Sequence, residues 1–273
     1  MTVAVQLRTL SSPVAVLPPH LRVVDDAVDA KNSCERCALN GVCLPEGLAG
    51  KERQDFTSRI FRHKRLRASQ ALFRAGESFH QLYFVKTGSL KTVVLIDDGR
   101  EQVTGFHFAG DVVGVDAISF PAHPSEAIAL EDTNVCAIPF GQLSRMSQRV
   151  EHVQTYVQRL LAREVVRDQR LMLLLGRMQA DERVAAFLLN MAQRFKARGY
   201  SPLEFTLPMA REDIGNYLGL TLETVSRCLS RLKSTGVLNV KNRHIRILNL
   251  DVLQKVIGGR ESFQSVHRVN SVH

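Results

Sequence analysis

The sequence has no stretch approaching the roughly 18–20 uninterrupted apolar residues needed to span a bilayer, so no membrane segment is expected. Its first ten residues lack the basic-then-apolar order of a secretory signal, which makes the cytoplasm the expected location. It contains no G-x-G-x-x-G segment, no P-loop, and no Ser, His and Asp set with placed partners. Nothing catalytic therefore supports an enzyme, including an electron-transfer or redox enzyme, and none is expected.

What is present is a basic half and a crowd of cysteines. At 273 residues the chain exceeds the usual single-domain size, so two domains joined by a connector are expected. The net charge is +9, and residues 177–273 hold 15 Lys/Arg against 8 Asp/Glu, a net of +7, while residues 1–176 hold 21 against 19. A basic domain on a nearly neutral one points to a polyanion partner for the C-terminal part alone, beyond a merely solvated basic surface.

Of five cysteines, Cys34, Cys37 and Cys43 are close together, while Cys136 and Cys228 stand apart. In a reducing compartment such crowding argues for metal binding or redox chemistry over structural disulfides. The Cys34-x2-Cys37-x5-Cys43 spacing puts three thiolates on one short loop, and a fourth ligand must come from elsewhere. Cys136, in Val135-Cys-Ala-Ile-Pro139, is the best candidate. Four thiolates suit either zinc or an iron–sulfur cluster, and spacing leaves both open. Neither His63 nor His80 lies at a zinc-finger spacing. Cys228, among apolar neighbours, reads as a small buried hydrophobe.

Along the chain, residues 1–30 carry Pro13, Pro18 and Pro19 without periodicity and read as an arm. Residues 31–140 hold the cysteine segment and then short apolar runs separated by turns. Gly76, Gly88, Gly99 and Gly110 recur at 11- or 12-residue steps and Asp98-Gly99 suits a hairpin, together predicting a compact β-barrel or sandwich. Residues 141–176 predict one long helix, on which Val157, Leu161, Val165, Met172 and Leu175 form a stripe that also holds Asp168. A helix this long would be mostly exposed on a monomer, so the stripe predicts a helix–helix dimer seam. Residues 177–250 follow as a second domain and residues 251–273 as a tail, which makes the fold class α+β.

Within the second domain, Ile214 and Leu218 face Val225, Leu229 and Leu232 across a turn at Gly219, the pattern of a helix-turn-helix. Two short β-runs, Val237-Leu-Asn-Val240 and Ile245-Arg-Ile-Leu248, add a wing. Glu223, Ser226 and Arg227 point away from the apolar stripe of the second helix, which enters a major groove with its N-terminal residues on base edges. Arg227 can offer paired donors to guanine and Glu223 can accept from cytosine; their plainer alternative is an exposed ion pair four residues apart. Lys233, Lys241, Arg243 and Arg246 suit phosphate contacts.

Together, Cys34-x2-Cys37-x5-Cys43, Thr104-Gly-Phe-His-Phe-Ala-Gly-Asp-Val-Val-Gly114, Ile138-Pro-Phe140, Ile214-Gly-Asn-Tyr-Leu-Gly-Leu-Thr221 and Glu223-Thr-Val-Ser-Arg227 resemble the fumarate and nitrate reduction (FNR) branch of the cAMP-receptor-protein superfamily. The resemblance implies an N-terminal β-roll sensor domain of the cyclic-nucleotide-binding kind, a long dimerisation helix and a C-terminal winged helix-turn-helix. It implies a [4Fe–4S] cluster on Cys34, Cys37, Cys43 and Cys136 that oxygen converts, loosening a homodimer and abolishing DNA binding. It assigns Glu223, Ser226 and Arg227 to an inverted repeat of TTGAT-like half-sites, Val165 and Asp168 to the dimer switch, and a loop containing Asp98, Gly99 and Glu101 to RNA polymerase. The superfamily's phosphate-binding arginine has no counterpart in Pro121-Ala-His-Pro-Ser-Glu126, so no cAMP binding is expected.

Overall fold

The computed structural model describes residues 34, 37, 39–60, 62–96 and 99–257. The expected arm, Asp98 and the tail beyond residue 257 lie outside the described residues.

The N-terminal domain begins with two helices, α1 (Asn40–Cys43) and α2 (Gly50–Ile60). Eight strands follow: β1 (Arg62–Leu66), β2 (Ala71–Phe73), β3 (Gln81–Thr87), β4 (Ser89–Leu95), β5 (Glu101–Phe108), β6 (Val112–Val113), β7 (Glu126–Ala129) and β8 (Thr133–Pro139). They pair antiparallel in two four-stranded sheets of order β1-β8-β3-β6 and β2-β7-β4-β5. The four evenly spaced glycines, Gly76, Gly88, Gly99 and Gly110, all have positive φ, placing each at a turn.

Strand alternation explains why β8 is apolar on both faces. Val135 and Ala137 enter the core between the sheets with Tyr83, Val85 and Leu90. Cys136 and Ile138 face the other way, into a second cluster with Leu82, Phe84, Phe56 and Leu39. The cysteine segment is thereby anchored on the back of the β1-β8-β3 sheet.

The expected single helix over 141–176 is in fact two, α3 (Phe140–Ser147) and α4 (Glu151–Arg177). Val150 caps α4 in an extended conformation, with φ −125° and ψ 109°. No proline or glycine marks the break. Its cause is tertiary: Leu143, Met146, Val150, Val153, Tyr156 and Leu160 all pack into the second cluster, and the interruption re-aims the later residues at the sheet.

The second domain comprises α5 (Ala180–Ala197), β9 (Glu204–Thr206), α6 (Arg211–Leu218), α7 (Leu222–Ser234), β10 (Leu238–Lys241), β11 (His244–Ile247) and α8 (Leu250–Val256). The wing hairpin β10–β11 gains β9 as a third strand, in the order β10-β11-β9. The start of the expected tail is α8, whose buried Leu253 belongs to this domain's core, so the domain runs past residue 250.

The two domains meet directly. Phe106 of β5 packs against Phe187 and Tyr217, with centroids 6.0 and 5.1 Å away. Asn216 of α6 accepts from the Val103 N–H and donates to the Glu101 carbonyl at 2.7 Å. Lys91 meets Asp213 at 2.6 Å. Asp111, just after β5, is bonded by both Arg194 and Arg198 of the second domain. Burial alone would raise its carboxyl, but the two guanidiniums and the Phe108 N–H hold it well below the usual carboxylate range. At the far end of α4, Arg183 donates to the carbonyls of Leu175, Met178 and Leu218 at 2.8–2.9 Å. One side chain thus ties the end of the long helix to the end of α6.

Candidate functional site

The helix-turn-helix is α6 and α7 joined at Gly219, which closes α6 at φ 63° and ψ 38°. Val225, Cys228, Leu229 and Leu232 of α7 are buried with Ile214 and Leu218 of α6. The close crossing requires a residue without Cβ at 215: an added Cβ would stand 2.7 Å from the Leu220 carbonyl oxygen. Gly215→Ala is expected to cost about 1–3 kcal/mol through overpacking, since backbone cannot swing aside. Denaturant unfolding of the variant beside the unaltered protein measures it, and equal stability would show that the turn yields.

Thr221 caps α7, its hydroxyl accepting from the Thr224 N–H at 3.1 Å. Glu223 and Arg227 project to solvent, with side chains 71% and 70% exposed, and form the i,i+4 ion pair at 2.6 Å. Ser226 is half-buried and accepts from Arg211 at 3.2 Å. Arg211, at the start of α6, belongs to the same surface and was not singled out from the sequence; nothing in local periodicity brings it beside a residue fifteen positions on. Of the cations expected to meet phosphates, Lys233 and Lys241 are exposed beside and on the wing. Arg243 donates to the Pro208 carbonyl, and Arg246 lies 3.8 Å from Glu204. Cys228 is fully buried and accepts from Arg231 at 3.3 Å.

In the N-terminal domain the chain turns at Cys34, whose carbonyl accepts from the Cys37 N–H at 3.3 Å. Helix α1 then carries Cys43 inward beside Leu39 and Leu44. Cys43 and Cys136 are 8% and 7% exposed. Burial raises the Cys43 thiol well above its usual value, and Cys136, Cys37 and Cys34 add to the shift. Burial, then Cys37 and Cys34, push Cys136 up to about 12. The two buried thiols, Cys43 and Cys136, thus resist ionisation beside the other cysteines, and a bound cation would compensate their thiolates. That donor set suits a thiophilic metal or an iron–sulfur centre. Among the described residues, no three or more His, Cys, Asp or Glu side chains are closed into a metal-holding arrangement: the four sulfurs share a region, not a finished coordination shell. The Tyr156 hydroxyl of α4 donates to the Cys43 carbonyl at 2.9 Å, joining this region to the long helix.

Helix α4 presents two faces. Val153, Tyr156 and Leu160 are buried on the chain's own sheet. About a quarter-turn away, Leu161, Val165 and Met172 are 39%, 54% and 65% exposed, with Asp168 exposed in the same stripe. Gly99 and Glu101 are exposed at the β4–β5 hairpin, beside the Asn216 contact.

Residues 63–150 match the cyclic nucleotide-binding domain family, and residues 182–256 match the Crp-like helix-turn-helix domain family. The chain is 44% identical over 225 residues to the fumarate and nitrate reduction regulatory proteins of Yersinia pestis and of Escherichia coli K12, covering 82% of this chain and 90% of each of those proteins. Among solved structures it is similar to FixK2 from Bradyrhizobium japonicum, with 36% identity and a TM-score of 0.67 over 72% of this chain and 97% of that one. With a cyclic-nucleotide-binding β-domain, a long helix and a Crp-like DNA-binding domain in this order, the chain belongs to the FNR branch of the CRP/FNR family of DNA-binding transcription regulators.

Proposed function

We propose that this regulator is an oxygen-responsive switch in which Cys34, Cys37, Cys43 and Cys136 hold a [4Fe–4S] cluster, and that the chain binds DNA as a homodimer when oxygen is absent. The carrying observation is the Tyr156–Cys43 hydrogen bond, which seats the cysteine loop on the helix whose neighbouring face is an exposed apolar stripe. When bound, the cluster supplies an oxygen-labile link between the loop and β8. The chain's own residues do the rest: Cys43 and Cys136 fix the loop against the sheet, α4 offers Leu161, Val165 and Met172 to its copy, and α7 offers Glu223, Ser226 and Arg227 to each half of a TTGAT-type inverted repeat. Two-fold symmetry then sets half-sites about one helical turn apart.

The remaining partners follow from the surface. Gly99 and Glu101, with Asp98 outside the described residues, are proposed to meet RNA polymerase. No cAMP is proposed to bind: the stretch Pro121 to Glu126 contains no arginine of its own, Asp116 and Glu77 place negative charge near His123, and the His123 ring stacks on Phe73 with centroids 3.7 Å apart. No described helix is long and apolar enough to cross a membrane, in keeping with a cytoplasmic location.

Absorption spectra of anaerobically purified protein before and after air, with a gel-shift on the same sample, test the proposal. A brown colour that bleaches in air while retardation of the palindrome disappears is the expected result. A colourless protein carrying about one zinc per chain and binding DNA equally in air would replace the proposal with a structural zinc site.

Arg227→Ala is expected to weaken binding to the palindrome by about 1–3 kcal/mol and to leave random-sequence DNA nearly unaffected. Loss of the exposed Glu223 pair accounts for only some tenths of a kcal/mol. Competition titrations at fixed salt separate the cases, and an equal loss on random DNA would move Arg227 to the phosphate-contacting class.

A further inference from the structure

Strand β1 is the edge of its sheet, and it pairs with β8 so that His63 stands directly opposite Cys136. Opposed residues of an antiparallel pair project from the same face with Cβ atoms about 4.5–5.5 Å apart. The backbone register, not one rotamer, therefore makes this imidazole the cross-strand neighbour of the sulfur. His63 Nδ1 lies 3.4 Å from Cys136 Sγ. On the other flank the register sets Phe84 opposite Cys136, buried and 6.4 Å from the Tyr156 ring. The sulfur has an apolar wall on its inner side and a polar, exposed ring on its outer side.

We propose that His63 is a positioning residue of the cysteine centre, donating its Nδ1–H to the Cys136 sulfur and covering that sulfur's solvent-facing flank. This rests on the reading of Cys136 as a ligand. A ligating thiolate carries no hydrogen and can only accept, so the ring must present N–H at Nδ1. Donation to a metal-bound sulfur orients the ligand, draws electron density from it and steadies the metal. The ring also occupies the side from which solvent reaches the bond. His63 is not spaced as a ligand in the sequence; it enters through strand pairing alone.

Two variants of the full-length protein, purified anaerobically, test the role. His63→Leu keeps bulk and removes the donor, while His63→Gln keeps an N–H donor. Iron and sulfide contents are measured first, then the rate of iron release to a chelator without oxygen, then the rate of bleaching in air. The Leu variant is expected to release iron on the order of 10-fold faster and to bleach faster. The Gln variant should stay close to the unaltered protein. A Leu variant matching the unaltered protein in both rates, or a Gln variant as labile as the Leu variant, overturns the hydrogen-bond role and leaves the cluster reading intact. Zinc instead of iron in the unaltered protein overturns both.

Discussion

Cys136→Ser is expected to yield a folded, colourless protein that no longer retards a TTGAT-type palindrome without oxygen. Serine matches cysteine in shape, and β8 needs little from the thiol: strand pairing on both sides is backbone, and Ile138 and Leu82 remain as neighbours in the cluster. What changes is the donor. A serine hydroxyl is neither soft nor readily ionised, and Cys136 is the one ligand candidate supplied by the sheet, remote in sequence from the other three. Its loss leaves the other three cysteines without a ligand partner on β8, although Leu39, Cys43 and Leu44 stay packed on the sheet. Iron content is expected to fall by at least about 10-fold, with the thermal transition of the apo-protein little changed. Cys228→Ser is the matched control, because that sulfur sits in the other domain's core, bonded to Arg231, and iron should be unchanged. A Cys136→Ser protein with full iron and undiminished palindrome binding would remove Cys136 from the ligand set.

The parts legible in the sequence are those whose signal is local. The α6–α7 pair shows itself through Ile214, Leu218, Val225 and Leu229 at helical spacing around Gly219, and the wing through two β-runs about a polar turn. The strand-rich texture over 66–140 is likewise a matter of period and turn residues. Features fixed by packing were hidden. Nothing in Gln148-Arg-Val150 announces the break before α4, because its cause is a cluster assembled from two helices and a sheet. Helix α2 is mostly polar and held by Phe56, too sparse a stripe to register. Strand β9 is three residues long, and only pairing with β11 makes it a strand.

The Thr104 to Gly114 motif shows the same limit in another form. It identifies the family, yet what its residues do is visible only in three dimensions: Phe106, Phe108 and Asp111 form the seat on which α5 and α6 of the second domain rest. Together with Arg183, this seat makes the recognition helix's position depend on both the β-domain and the end of α4. His63 is another case of the same kind: periodicity does not relate residues 63 and 136, and register does.

In the proposed dimer, Asp168→Ala is expected to tighten association by about 10- to 100-fold, with the monomer–dimer balance in air shifted toward dimer. A parallel two-fold seam brings each position of the Leu161, Val165, Met172 stripe against its own copy, so Asp168 faces Asp168. Two carboxylates about 6 Å apart at an effective dielectric near 20 repel by roughly 3 kcal/mol, before the cost of drying them. Val165, one turn before, supplies apolar area that favours association, and the two effects oppose each other along one stripe. Alanine removes the repulsion and keeps the helix. On the proposed switch the seam would then no longer need positioning by the cysteine loop, which the Tyr156–Cys43 hydrogen bond joins to α4. Sedimentation at physiological salt measures the shift, and raising salt on the unaltered protein should reproduce part of it by screening. Val165→Asp is the opposite case and should leave a monomer even without oxygen. An Asp168→Ala protein with an unchanged monomer–dimer balance would place Asp168 at a solvated rim and take it out of the switch.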